Sequence, residues 1–330
     1  MNVKLQKITL RAALVALSAV FLWNLTACTQ KQEAAPLPDL TVETETAPEE
    51  GIVEYSGVKY RLREDLQTVL VMGLDKYERP ENSIGYTNKL QSDLMLLLVV
   101  DEAAGVCDIL QLNRDTMTEI RRLGIGGAGA GTFTGQLALA HTYGSGGSDS
   151  CLNAVKAVST LLGGVKIDHY VSITMDAVAK INDAVGGVTL TMMDDFSDVD
   201  PAMQAGQEIT LQGDQALTYV RARSGLDDSS NLYRMERQQQ YMSAFYAKFL
   251  ECSEKNENFL EKVLLEVNRD FVSDCTVSQL SALGALLERC AMNPILTIDG
   301  EAVLGEEFME FYVDEDALQE TIFTLFYEKA

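Results

Sequence analysis

Four of the chain's arginines, Arg221, Arg223, Arg234 and Arg237, fall between positions 221 and 237. Each guanidinium is a planar fork that matches phosphate oxygens bidentately. In Tyr219-Val220-Arg221-Ala222-Arg223 an extended backbone would set both forks on one face. Arg234, Arg237 and Gln238 recur at helical spacing, so they share a helix face. Upstream, Arg114-Asp115-Thr116 follows the apolar run Leu110-Gln111-Leu112. Two acids stand at strand boundaries: Asp75 after Val69–Leu74, and Asp93 before Leu94–Leu98. Neighbouring strands ending at one sheet edge would bring these carboxylates together. Two carboxylates without histidine suit a hard cation, Mg²⁺ or Mn²⁺, that also binds substrate phosphate. Each also has a plainer reading. Aspartate is common in solvated turns, and the arginines could form surface pairs with Asp227, Asp228 and Glu236, each contributing ~0–1 kcal/mol.

Composition sharpens the question. The 330 residues carry 26 Lys+Arg against 49 Asp+Glu, a formal net charge of −23. Such a surface repels nucleic acid, which excludes non-specific DNA or RNA binding. With 47% apolar and 23% charged residues the chain has globular rather than disordered composition. The two histidines, His141 and His169, are far apart, which argues against a histidine-rich metal site or a zinc hydrolase. The acidity is uneven: residues 251–330 hold 18 acids and five bases. A local arginine cluster in so negative a chain needs a reason.

Two other motifs carry less. Gly124–Gly131 is glycine-rich, but it lacks a Gly-Lys-Ser/Thr ending and follows Arg121-Arg122-Leu123, which does not read as a core strand. A surface loop is expected. Gly144-Ser145-Gly146-Gly147 lacks the spacing of a nucleophile elbow, which argues against a serine hydrolase.

The first 28 residues read as an export signal. Lys4, Lys7 and Arg11 precede the apolar stretch Ala12–Trp23, whose roughly 18 Å as a helix is too short for a bilayer core of ~30 Å. Leu25-Thr26-Ala27-Cys28 matches a bacterial lipoprotein box, with Cys28 as the acylation site; a plain secretory signal with an incidental cysteine is the alternative. Residues 29–59 follow as an acidic tether broken by Pro36, Pro38 and Pro48, self-repelling and extended. These features place the folded part, residues 60–330, outside the cell at the membrane surface. The five remaining thiols, Cys107, Cys151, Cys252, Cys275 and Cys290, are odd in number and contain no C-x-x-C. Buried free thiols are therefore expected, with a Cys275–Cys290 bridge as the alternative.

The elements that must position these groups alternate in type. Strands are expected at Thr68–Gly73, Leu94–Val100, Val106–Leu112, Tyr170–Thr174 and Val188–Met192, from apolar runs and β-branched content. Helices are expected at Ser150–Leu162, Met175–Val185, Leu232–Phe249, Val277–Arg289 and Ala317–Tyr327 from 3.6-residue periodicity and terminal glycines. Strands between helices predict one layered α-β-α domain around a central, mostly buried mixed sheet.

Taken in order, these pieces resemble the LytR–CpsA–Psr family. The matching segments are Leu70–Asp75, Ser92-Asp93, Asn113–Thr116, Ala140–Gly144, Ile167–Tyr170, Asp183–Val188, Gly213–Arg223, and Arg234 with Arg237-Gln238. The resemblance implies an extracytoplasmic phosphotransferase that moves a glycopolymer, such as a teichoic acid or capsule polymer, from a polyprenyl diphosphate carrier to a peptidoglycan sugar hydroxyl. It implies that Asp75 and Asp93 hold Mg²⁺ (or Mn²⁺) on the diphosphate. Arg114, Arg221, Arg223, Arg234, Arg237 and Gln238 would contact the phosphates, and the prenyl chain would lie in an apolar tunnel. Asp75, Arg114, Asp115, Arg221 and Arg223 form the implied catalytic set, with Asp75 or Asp115 as the candidate base. Two positions depart from the family pattern, since Gln91 and Gln136 stand where cationic residues are usual. That leaves open a lipid- or glycan-binding lipoprotein without transfer, or a polyprenyl diphosphate hydrolase. The lipobox is a further departure, since most members carry a transmembrane helix.

Overall fold

A computed structural model of the chain describes residues 51–75, 90–123, 129–222 and 231–330, all within the unit Glu49–Ala330. The export signal with Cys28, the tether up to residue 50, Arg223 and residues 124–128 of the glycine run lie outside the described residues. Strands β1 (Ile52–Tyr55) and β2 (Val58–Leu62) lead into β3 (Gln67–Leu74), β4 (Ser92–Asp101) and β5 (Val106–Leu112). Then come β6 (Met117–Leu123), β7 (Gly129–Gln136), α1 (Leu139–Thr142), α2 (Gly147–Leu161), β8 (His169–Thr174) and α3 (Met175–Ala184). The central stretch continues with β9 (Val188–Thr191), β10 (Glu208–Leu211), α4 (Asp214–Arg221), α5 (Leu232–Lys255) and α6 (Phe259–Glu266). The last part holds β11 (Phe271–Ser273), α7 (Val277–Leu287), β12 (Ala291–Met292), β13 (Gly300–Leu304), β14 (Met309–Val313), α8 (Glu315–Phe326) and β15 (Tyr327–Lys329).

Six strands form the central sheet in the order β11-β8-β3-β4-β5-β12. The sheet is mixed: β3 runs antiparallel to β4 and parallel to β8, while β12 joins β5 in parallel. Side chains alternate across a strand, and here the alternation separates two environments. Leu70, Met72 and Leu74 of β3, with Met95, Leu97 and Val99 of β4, are packed with Cys151, Ala154 and Val158 of α2 and Leu318, Ile322 and Leu325 of α8. On the opposite face Val71 pairs with Leu96 and Gly73 with Leu94, beneath α3, α4 and α5. A dense core fills the first face. The second face is left with a channel.

Several elements differ from the sequence expectation. Tyr219–Arg221 is helical rather than extended, because α4 begins at Gly213 (φ +47°) and buries Ala216, Leu217 and Tyr219. Tertiary burial on a helical face overrides the β-rich local composition. Residues 52–62, read as the end of the tether and the first residues after it, form β1 and β2 and pair with the C-terminal strand β15. The folded part thus begins before the boundary at residue 60. Arg121-Arg122-Leu123 ends β6, which pairs with β7 as a hairpin reaching to Gly129. The five thiols Cys107, Cys151, Cys252, Cys275 and Cys290 are free. Among the described residues no helix is long and apolar enough to cross a membrane.

Candidate active site at the sheet edge

The channel on the open sheet face has a volume of about 240 Å³. Val71 and Leu96 form its floor, Val178 and Ile181 of α3 one wall, and Leu217, Tyr241 and Phe245 the roof. Gly73 lies at its end, where a Cβ would stand 3.1 Å from the Leu94 Cβ. At that end the channel meets a polar pocket of about 710 Å³ lined by Asp75, Gln91, Asp93, Arg114, Asp214, Thr218 and Arg221. Asp93, Leu217, Arg221 and Arg234 line both spaces. An oily groove and a charged mouth are therefore continuous.

Among the described residues three arginines surround the mouth, and each is held by a carboxylate. Arg221 ends α4 and bonds Asp75 at 3.0 Å, with both side chains more than 40% exposed. Asp93 sits between two buried guanidinium groups: Arg114 pairs with its Oδ1, and Arg234 lies 3.8 Å from its Oδ2. Arg114 also donates to Gln91 Oε1. The Arg114 loop and the start of α5 are pinned to each other through Asn113, whose Oδ1 accepts from Asp115 N at 3.0 Å and from Asn231 Nδ2 at 3.3 Å.

Behind the mouth lies a bracket of buried polar groups. Arg237 is fully buried and bonds Asp194 at 3.0 Å, with its guanidinium 5.0 Å above the Phe196 ring. It also donates to the Ala222 carbonyl. Gln238 donates to the Val220 carbonyl at 3.0 Å and accepts from Gln111 at 2.9 Å. The last carbonyls of a helix lack intrahelical partners. Arg237 and Gln238 thus satisfy the two carbonyls that flank Arg221 and fix the point from which its side chain projects. Burial pulls the Arg237 guanidinium below its ordinary pKa, with the Asp194 charge opposing that shift.

The structure sorts the expected site residues. Asp75, Asp93, Arg114, Arg221 and Arg234 converge on the mouth. Arg237 lies outside the lining of both spaces, and Gln238 lines the channel rather than the mouth; in this structure both bond the carbonyls that flank Arg221. Asp115 is buried beneath the mouth, 2.9 Å from Gln136 Nε2 and 3.3 Å from Arg114 Nε, where it helps to position Arg114. Gln136 also donates to the Met309 carbonyl at 2.7 Å, so its amide serves packing. Arg223 and Cys28 lie outside the described residues. Sequence reading missed Asp194, which sits in the acidic run Asp194-Asp195 with no local sign of its partner, and Asp214, whose place at the start of α4 puts it in the mouth. Asp75 and Asp93 supply only oxygen donors, and the pocket has room for water; this donor set fits Mg²⁺, which keeps several waters and shares substrate phosphates.

The molecule is an α/β domain whose sheet edge presents an arginine-lined mouth above an apolar channel. Residues 33–325 match the model of the LytR_cpsA_psr family, and the chain belongs to that family. It is 30% identical over 181 residues to the polyisoprenyl-teichoic acid–peptidoglycan teichoic acid transferase TagU of Halalkalibacterium halodurans, covering 55% of this chain and 52% of that protein. The chain thus spans about half the length of that relative and of its Bacillus subtilis counterpart. The crystal structure of B. subtilis TagV superposes with a TM-score of 0.60 at 22% identity, covering 80% of this chain and 97% of that one. A structure described as TagT bound to LI-WTA gives 0.59 at 19% identity, with coverage of 79% and 90%. These two likenesses establish the fold.

Proposed function

We propose that this chain is an extracytoplasmic phosphotransferase that moves a glycopolymer from a polyprenyl diphosphate carrier to a sugar hydroxyl of peptidoglycan. The observation that carries the reading is the continuity of the two spaces through Asp93, Leu217, Arg221 and Arg234. An amphiphile with a prenyl tail and a diphosphate head matches that sequence of surfaces in order. The names of the relatives, which specify polyisoprenyl-linked teichoic acid and peptidoglycan, support a teichoic-acid-like polymer.

On this reading Val71, Leu96, Val178, Ile181 and Phe245 hold the tail, each buried methylene contributing up to about 0.8 kcal/mol. Arg114, Arg221 and Arg234 hold the phosphates and stabilise charge that spreads over the phosphoryl oxygens. Asp75 and Asp93 would hold Mg²⁺, which when bound would neutralise part of that charge. The acylated Cys28 would anchor the domain at the outer membrane face, where the carrier lipid resides.

The test is release of polyprenyl phosphate from a synthetic lipid-linked substrate by the full chain. Arg221→Ala should slow release by about 10²-fold or more, while the melting temperature changes little because that side chain is exposed. Wild-type turnover in Arg221→Ala would overturn the phosphate assignment. Release without any acceptor sugar would identify a hydrolase, and tight prenyl-phosphate binding without release a carrier-binding protein.

A further inference from the structure

We infer a second, metal-binding site at the opposite end of the sheet strands, made by His169, Asp274 and Cys275 and suited to a tetrahedral, borderline-soft divalent cation such as Zn²⁺. One potential ligand atom from each residue lies within 4.8 Å of the other two. His169 Nδ1 stands 3.2 Å from Asp274 Oδ2, close to the ~3.3 Å that separates two ligands bound at about 2.0 Å on a tetrahedral ion. The mixture of thiol, imidazole and carboxylate distinguishes this cluster from the all-oxygen donors at the mouth, and thiolate favours zinc over magnesium.

The three side chains are pre-positioned by the fold. His169 opens β8 opposite Val69 of β3, whereas Asp75 follows the far end of β3, so the two sites occupy opposite edges. Strand β11 pairs with β8 through Ser273 and Val171, which brings Asp274 alongside. The second Asp274 oxygen accepts from Tyr170 N at 3.0 Å, leaving Oδ2 for His169. Ser273 Oγ donates to the Tyr170 carbonyl at 2.6 Å and accepts from Cys275 N at 3.0 Å. The next residue, Thr276, caps α7 with a reciprocal capping box. The Tyr170 bond orients the Asp274 carboxylate as an outer-shell contact does, and the Ser273 bonds fix the backbone that carries Cys275. His169 and Cys275 also border a cavity of about 320 Å³ with Glu102, Gln279 and Arg289, which gives a fourth ligand, water, room to bind. A cation here would join the start of β8 to the β11–α7 junction.

Titrating the metal-free full chain with Co²⁺ tests this site. A thiolate-to-cobalt charge-transfer band with d–d bands of tetrahedral intensity, saturating at one ion per chain, is expected. Cys275→Ser should abolish the charge-transfer band and weaken Zn²⁺ binding by at least about tenfold. Asp274→Asn, whose amide oxygen can still accept from Tyr170, should weaken binding comparably. At a fixed Zn²⁺ concentration the melting temperature of the wild type should rise, and that of Cys275→Ser should rise by less. Absence of the band in the wild type, or an unaltered band in Cys275→Ser, would overturn the site. A hydrogen-bonded trio without metal affinity gives the former result.

Discussion

Replacing Asp194 by Asn separates two roles for the arginine bracket. Arg237 is fully buried, and its partner carboxylate, 24% exposed, lies 3.0 Å away. At an effective dielectric near 20 that pair attracts by roughly 5–6 kcal/mol, and losing one partner of a buried pair costs about 3–5 kcal/mol. Partial solvation of Asp194 lowers the figure to about 2–3 kcal/mol, a fall in melting temperature of about 3–5 °C for a unit of this size. The double variant Asp194→Leu/Arg237→Met should melt above Asp194→Asn, because no unpaired cation is then left in the interior.

Activity gives the sharper discrimination. If Arg237 serves substrate phosphate, removing Asp194 frees the guanidinium, and release of polyprenyl phosphate should hold or rise. If Arg237 frames the end of α4 through the Ala222 carbonyl, the Arg221 side chain loses its fixed origin and release should fall about tenfold, or ~1.4 kcal/mol. Calorimetry and single-turnover release on the same preparations decide. Unchanged melting together with unchanged or faster release would refute the bracket.

Burial lowers the pKa of His141 to about 4, against about 6.5 when unfolded. The folded state therefore binds fewer protons between those values, so His141's contribution is complete above pH ~6.5 and is lost as pH falls towards 4, about 3 kcal/mol in all; urea unfolding of His141→Gln should show a flatter acid limb than wild type. Val178→Phe places a ring in the 240 Å³ channel and should weaken displacement of a fluorescent prenyl phosphate by tenfold or more, corresponding to about 1.4 kcal/mol, with the melting temperature nearly unchanged. The Asp314 carboxylate accepts from Ala317 N at 2.9 Å and caps α8, so Asp314→Ala should lower stability by ~1 kcal/mol in chemical denaturation.

Elements with one dominant physical signal were legible in the sequence. Leu94–Val100 is apolar throughout because β4 is covered on both faces, by the core on one and the channel on the other. Asp75 and Asp93 read as strand-end acids because β3 and β4 are antiparallel neighbours, which puts the end of one beside the start of the other. The failures share a cause, which is that a distant partner decided the outcome. Tyr219–Arg221 has strand-like composition, yet the burial of Tyr219 against Phe196 favours a helix. Arg237 has the same local pattern as Arg234, but Asp194 draws it into the core while Asp93 keeps Arg234 at the mouth. Gln136 read as a lost cation, whereas its amide bridges Asp115 and the Met309 carbonyl, a contact that only the packing of β14 creates. His169 read as a solitary histidine because its companions, Asp274 and Cys275, come more than a hundred residues later.

The net charge of −23 bears on how an anionic headgroup would reach such a mouth. A strongly negative exterior lowers the local concentration of free phosphates and slows their arrival. Within the mouth, Asp75 and Asp93 already engage Arg221, Arg114 and Arg234, so an incoming diphosphate must share or displace those carboxylates. Both effects disfavour a small soluble anion. A prenyl tail changes the balance, since a handful of buried methylenes at about 0.8 kcal/mol each exceed the ~1 kcal/mol of the exposed Asp75–Arg221 pair and match the roughly 3–5 kcal/mol at stake in the buried Asp93 pairs. Attachment to the same membrane would also replace diffusion through a repulsive field with a high effective concentration. On the proposed function, the acidic surface and the channel therefore act together, selecting a phosphate that arrives on a lipid over one that arrives from solution.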